Sequence, residues 1–209
     1  MTIETWLAFV AASTILLLIP GPTILTVISH SVAHGKHAVM PLVLAVALGD
    51  STALFFSLAG LGAVLANSAF WFTLIKWLGG VYLLYLGIKL LKSRPSLPQR
   101  SASAVPKSRW TLFGNTWLIT TLNPKGIVFF VAFLPQFLNL AESVSSQLWV
   151  LSVTFVVLAT LNASLYAIFA GAARQVLSSP VAQKRFNLTG GSLLCTAGIW
   201  ALTARHQNV

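Results

Sequence analysis

The sequence predicts an all-α integral membrane protein: six transmembrane helices as two inverted three-helix repeats, with helices one and four interrupted by proline. Three observations predict it. Apolar residues make up 56% of the 209 and charged residues only 8%, against roughly 25% charged in soluble domains. Six runs are long enough for a hydrocarbon core of about 30 Å, which takes roughly 20 helical residues. Prolines break the first and fourth of these runs at matching places, Pro20-Gly21-Pro22 and Asn123-Pro124-Lys125-Gly126.

The runs fall at 6–28, 39–66, 69–91, 111–137, 148–173 and 187–204. No Lys or Arg precedes the first, Glu4 does, and its length suits a full span, so it reads as a retained helix and not as a cleaved leader. Its proline break removes backbone donors, which lipid tolerates only where neighbours or a cavity satisfy the freed groups. Gly21 before Pro22 and Thr23 permits the helix to restart. His30, His34 and His37 follow, on a helix running past the span. The first two have the i, i+4 spacing of metal ligands, but without a carboxylate they read as interfacial polar residues.

Span two carries Asp50 near its middle. Such a residue costs about 2.5–3.5 kcal/mol on insertion scales, so it should face the bundle interior or water. It reads as a proton or substrate-amine site, or as half of a structural ion pair. Ala45, Gly49, Ala53 and Ser57 form a small-residue ridge that lets a neighbouring helix approach. In span three, Lys76 lies near the end, where snorkelling is expected. The linker at 92–110, with Pro95, Pro98 and Pro106, divides the chain into a first repeat (1–91) and a second (111–209). Three spans is an odd number, so the halves enter the membrane oppositely, an inverted repeat.

In span four, Asn123 can cap a restarting helix and Pro124 suits its first turn. The half-helix N-terminus then presents free amides, a positive dipole end and Lys125 together, followed by Gly126. Such a terminus binds anions. Lys125 meets a substrate carboxylate, pairs with Asp50, or snorkels. Asn162 in span five either completes the same centre or makes an interhelical hydrogen bond. Interrupted helices in corresponding positions mark a transporter's binding site near the midplane. Trp6, Trp71, Trp77, Trp110, Trp149 and Trp200 fall mostly near span ends, as an interfacial belt requires.

Charge placement sets orientation. Lys36 lies in the first connection; Lys89, Lys92, Arg94, Arg100, Lys107 and Arg109 surround the third; Arg174, Lys184 and Arg185 occupy the fifth. The second and fourth carry none, so both termini should be external. The net charge of +10 is topogenic and no nucleic-acid footprint. Cys195 is the only cysteine, which excludes an intrachain disulfide or a cysteine-based zinc cage. A divalent-cation channel or exporter would want more oxygen ligands. An intramembrane hydrolase would need a nucleophile with its base, or paired carboxylates. No Walker A segment supports nucleotide-driven pumping.

The run Ile19-Pro20-Gly21-Pro22, the pair Gly49-Asp50, the stretch Lys76-Trp77-Leu78-Gly79-Gly80 through Tyr82-Leu83-Leu84-Tyr85-Leu86-Gly87, and Asn123-Pro124-Lys125-Gly126 with Leu134-Pro135-Gln136-Phe137 together resemble the LysE/RhtB family of amino-acid exporters. The resemblance covers essentially the whole chain. The opening and Ala204-Arg205-His206 look closest to its homoserine/threonine branch. It implies efflux of small amino acids or derivatives across the bacterial inner membrane, coupled to the proton-motive force, without a cofactor. The expected partners are the amino acid, protons and the lipid bilayer, with room for a homo-oligomer. In the expected mechanism the substrate carboxylate sits near Pro22 and Asn123 to Lys125, Asp50 alternates between a proton and the ammonium, and the halves rock about the site.

Overall fold

The computed structural model describes residues 1–67, 69–93, 108–139 and 141–203, and every regular element in them is helical. The expected linker falls mainly on residues 94–107, outside the described residues, as do Arg205 and the 204–206 tail. The side chains of Trp71, Lys76 and Trp200 lie outside them too.

The first span is two helices, α1 (Ile3–Leu18) and α2 (Pro22–His34), bent by 55°. Thr2 caps α1 through the Thr5 amide, and Pro22 opens α2 at the position where a missing N–H costs nothing. The path runs beyond the expected residue 28 to His34, where Gly35 at φ 63° ends it and a 3₁₀ turn, Gly35–Ala38, carries His37. α3 (Val39–Asn67) and α4 (Ala69–Lys92) follow.

In the second half, α5 (Arg109–Thr121), α6 (Pro124–Val128), a π-helical turn (Phe129–Phe133) and a 3₁₀ turn (Leu134–Phe137) form one path. α7 is Val144–Ile168, α8 is Ala170–Ser178 and α9 is Pro180–Thr203. Two expectations are corrected here. The fifth span does not run to residue 173, because the chain turns at Phe169 into the separate helix α8. The sixth helix starts before residue 187: Ser179 accepts from the Ala182 amide and Pro180 fixes the first turn. Lys184 and Arg185 therefore lie in α9 and not in a connection.

Among the described residues, three segments are long and apolar enough to cross a membrane: Lys36–Gly60, Arg109–Phe137 and Val144–Ile168. The bent α1–α2 pair makes a fourth. Several hydroxyls on the apolar helices are satisfied locally, although those of Ser13, Ser31, Thr116 and Ser152 are buried without a partner among the described residues. Ser51, Thr52, Thr154 and Thr160 each donate to the carbonyl four residues earlier, so these groups need no water.

Two apolar clusters form the interior. One is aromatic: Phe9, Phe129, Phe130, Phe133, Phe137 and Phe155 meet ring to ring with centroids 4.8–6.1 Å apart. The other is mainly aliphatic, joining Ile24, Val27, Ile28, Leu42 and Val46 to Leu112, Ala163 and Leu177. Ala38, Leu112, Ala170 and Leu177 share that second cluster, so the helix ends near Lys36, Arg109 and Arg174 gather at one side of the molecule. Met1, Leu138 and Leu148 pack on the aromatic cluster, where the α-amino group of Met1 contacts Glu142.

Close approach of α4 and α9 depends on glycine. A Cβ on Gly198 would lie 2.8 Å from the Gly80 carbonyl, and one on Gly191 would lie 2.9 Å from that of Gly87. Gly49 does the same for α3 against α5, where a Cβ would meet Thr120 at 2.6 Å. Ala45, Gly49, Ala53 and Ser57 are all buried, so the small-residue ridge is a packing face.

Candidate functional site

A helix that stops inside an apolar medium leaves its last carbonyls without donors. In α1 the loss follows from the sequence. The donors four residues beyond Leu16 and Leu18 would be Pro20 and Pro22, which have no N–H. The bend takes Leu17 and Ile19 out of the helical ladder as well.

All four carbonyls find side-chain donors from the second half. Lys125 Nζ donates to Leu16 O at 2.9 Å and to Ile19 O at 2.8 Å. Asn162 Nδ2 donates to Leu17 O at 3.1 Å, and Tyr166 Oη to Leu18 O at 3.0 Å. Gly21 runs alongside, where a Cβ would stand in ordinary contact 3.4 Å from Lys125 Nζ.

The second break closes itself locally. Asn123 Oδ1 accepts from the Lys125 amide at 3.1 Å, and the Asn123 amide donates to Thr120 O at 3.1 Å. Its Nδ2 then reaches Thr23 Oγ1 at 3.2 Å, tying the start of α6 to the start of α2. The two restarted N-termini thus face one another across a single side-chain bond.

A cavity of about 30 Å³ lies between the breaks, lined by Gly21, Thr23, Asp50, Asn123, Lys125, Gly126 and Asn162 among others. That is room for about one water. Pro20, Pro22 and Pro124, expected at the site, adjoin the lining residues Gly21, Thr23, Asn123 and Lys125 in the chain but do not themselves line the cavity. Asp50 is 8% exposed and lines the cavity beside the α3–α5 contact, where Thr121 Oγ1 donates to the Gly49 carbonyl at 3.4 Å. Among the described residues no ion pair within 4.0 Å joins Asp50 to Lys125.

The structure therefore brings Thr23, Asp50, Asn123, Lys125 and Asn162 to one place. It gives Lys125 partners the sequence did not suggest, the carbonyls ending the other broken helix, and it shows no direct ion pair with Asp50. Asn162 makes the interhelical bond and lines the cavity as well. Tyr166 was missed. It stands four residues after Asn162, on the same face of α7, and that spacing was the available signal. A larger groove of about 590 Å³ lies between α3 and α7, flanked by Phe55, Trp149 and Val153, and among the described residues no ionisable side chain lines it.

A sequence model of the LysE type translocator family matches residues 14–205. The chain is 30% identical over 206 residues, 99% of its length, to the whole of a homoserine/homoserine lactone efflux protein from Salmonella typhimurium. It is 31% identical over 205 residues, 98% of its length, to the whole of a membrane protein of uncharacterised role from Vibrio cholerae. A leucine efflux protein from Salmonella choleraesuis is 29% identical over 131 residues, covering 63% of this chain and 62% of that one. No solved structure matches the chain.

Proposed function

The chain belongs to the LysE type translocator family, a multi-pass membrane transporter and not an enzyme, and we propose that it exports small neutral amino acids or close derivatives using the proton-motive force. The observation that carries this reading is the polar centre between the two helix breaks. One carboxylate, one ammonium and two restarted helix N-termini surround one small buried cavity. That set offers both signs of charge to a zwitterion. The relatives' names add homoserine, homoserine lactone and leucine. These share an α-amino group, whereas the lactone has no free carboxylate, so the amine is the feature common to all three.

In this reading α4 and α9 complete the six spans. At 1.5 Å per residue their 24 residues each reach about 36 Å. The halves 1–91 and 111–209 form the inverted repeat, joined by a cytoplasmic linker. The protein sits in the bacterial inner membrane with both termini in the periplasm, which places the gathered cationic ends at the cytoplasmic face. Asp50 carries the coupling proton, and Thr23, Asn123, Lys125 and Asn162 bind substrate with the backbone at Pro20 to Pro22 and Pro124 to Gly126. The present cavity admits no amino acid, so this conformation is closed and the site must widen to load. Gating by the two apolar clusters, one on each side, provides alternating access.

Efflux from vesicles preloaded with homoserine, threonine or leucine, with and without an imposed pH gradient, tests the proposal directly. Export that no gradient accelerates would remove proton coupling, and movement of none of the three would remove the substrate class. A reporter in the 92–110 linker should be cytoplasmic and one at the C-terminus external; a cytoplasmic C-terminus would overturn the topology.

A further inference from the structure

The four carbonyls at the end of α1 form a cradle for an N–H-bearing cation, and Lys125 lies in it. Two of them, Leu16 O and Ile19 O, converge on one ammonium at 2.9 and 2.8 Å. The other two are held by neutral donors, Asn162 and Tyr166. Carbonyl ends of broken membrane helices are where transporters coordinate cations. Here the cation belongs to the protein, and it reaches across from the other half. Lys125 uses two of its three N–H groups there, which leaves the third for an incoming anion.

We propose that the carbonyls of Leu16 and Ile19 are the ammonium subsite of this transporter, and that Lys125 fills it as a tethered stand-in until substrate arrives. This rests on the amino-acid reading above. A zwitterion supplies both halves of an exchange: its carboxylate draws Lys125 away, and its ammonium takes the vacated carbonyls. Neither charge is left bare in a low-dielectric centre, where an unpaired buried ion is costly. An amine that carries no acceptor oxygen for Lys125, neither a carboxylate nor a lactone carbonyl, cannot displace it, and a carboxylate without an amine would strand the carbonyls. The exchange also releases α6 from the end of α1, so loading unties the two broken helices at the moment the cavity must widen.

The test uses the full chain in lipid nanodiscs, read by its thermal midpoint. The probes are n-propylammonium, tetramethylammonium as a cation without N–H, and butyrate. In Lys125→Ala, n-propylammonium should raise the midpoint by about 3 °C or more in a concentration-dependent way, and tetramethylammonium should not. The unmodified protein should ignore n-propylammonium alone and butyrate alone, yet respond when both are present. Equal effects of the two cations in the variant would show that the carbonyls are no ammonium site. Rescue of the variant beside an unmodified protein indifferent to the combined probes would make Lys125 a permanent cap and overturn the exchange. Where Lys125→Ala yields no folded protein, Lys125→Met keeps the aliphatic stem and removes only the ammonium; ammonium chloride should then raise its midpoint over equal sodium chloride, and no difference would overturn the subsite. These readouts need no transport, so failed export of homoserine, threonine and leucine would break the parent reading without touching this one, and the reverse holds too.

Discussion

The two proline breaks look equivalent in the sequence and behave differently in the fold. At the first, the chain bends by 55° and four carbonyls rely on side chains more than one hundred residues away. At the second, the segment Arg109–Phe137 still counts as one span, and Asn123 satisfies the break from within. The difference is one of residue order. Asn precedes proline in the second break and can cap the new helix at once. In the first, two prolines flank a glycine, and no side chain there can donate to the carbonyls behind them. One break is self-sufficient, and the other is held by the opposite half of the molecule.

That contrast can be broken most severely at Lys125. Lys125→Met strands two carbonyls at a cost of about 1–3 kcal/mol each, which should give the largest fall in thermal midpoint of these single changes while a folded peak remains in a size-exclusion assay; an unchanged midpoint would show that the carbonyls do not rely on Lys125. Next comes Asp50→Asn, which touches neither break. It should fold at normal yield and exchange substrate across vesicles, yet lose efflux driven by a pH gradient; retained gradient-driven efflux would end its coupling role. Asp50 and Lys125 make no direct ion pair but share one buried centre, where charges interact strongly, so combining the two changes should show a coupling above about 1 kcal/mol, and additive losses would show that the two groups act independently.

Smaller effects sharpen the comparison. Asn162→Leu removes the donor to Leu17 O and should cost about 1–3 kcal/mol. Asn123→Ala, at the self-sufficient break, should cost only the usual cap, about 1 kcal/mol or 2–4 °C. A larger loss at Asn123 than at Asn162 would reverse the ranking of the two breaks. Tyr166→Phe should be mildest, below about 1 kcal/mol, because Tyr166 is only half-buried. Thermal melts of the three variants in one lipid composition provide the check.

Local chemistry made much of this legible from the sequence. Proline and asparagine fix where a helix stops and restarts, so both breaks and the Asn123 cap could be read from three or four adjacent residues. Asp50 had to face inward because lipid rejects it, and the structure buries it. The partner of Lys125 could not be read, since it depends on which carbonyls the fold carries past it, and every residue has a carbonyl. Tyr166 was hidden for a related reason: a tyrosine in an apolar run looks like interfacial aromatic surface until Leu18 O is found beside its hydroxyl. The helix α8 was absorbed into span five because Phe169 to Ala173 is as apolar as the helix before it.

The glycine seam between α4 and α9 has a practical consequence through Cys195. This sole thiol sits in the seam beside Gly87 and 3.9 Å from the Leu84 carbonyl. A maleimide added to the unmodified protein has one address, part-buried between the two helices, and its reaction there should quicken when they part. The rate of that labelling, followed while substrate or a pH gradient is applied, is a clock for separation of the halves that requires no engineered residue.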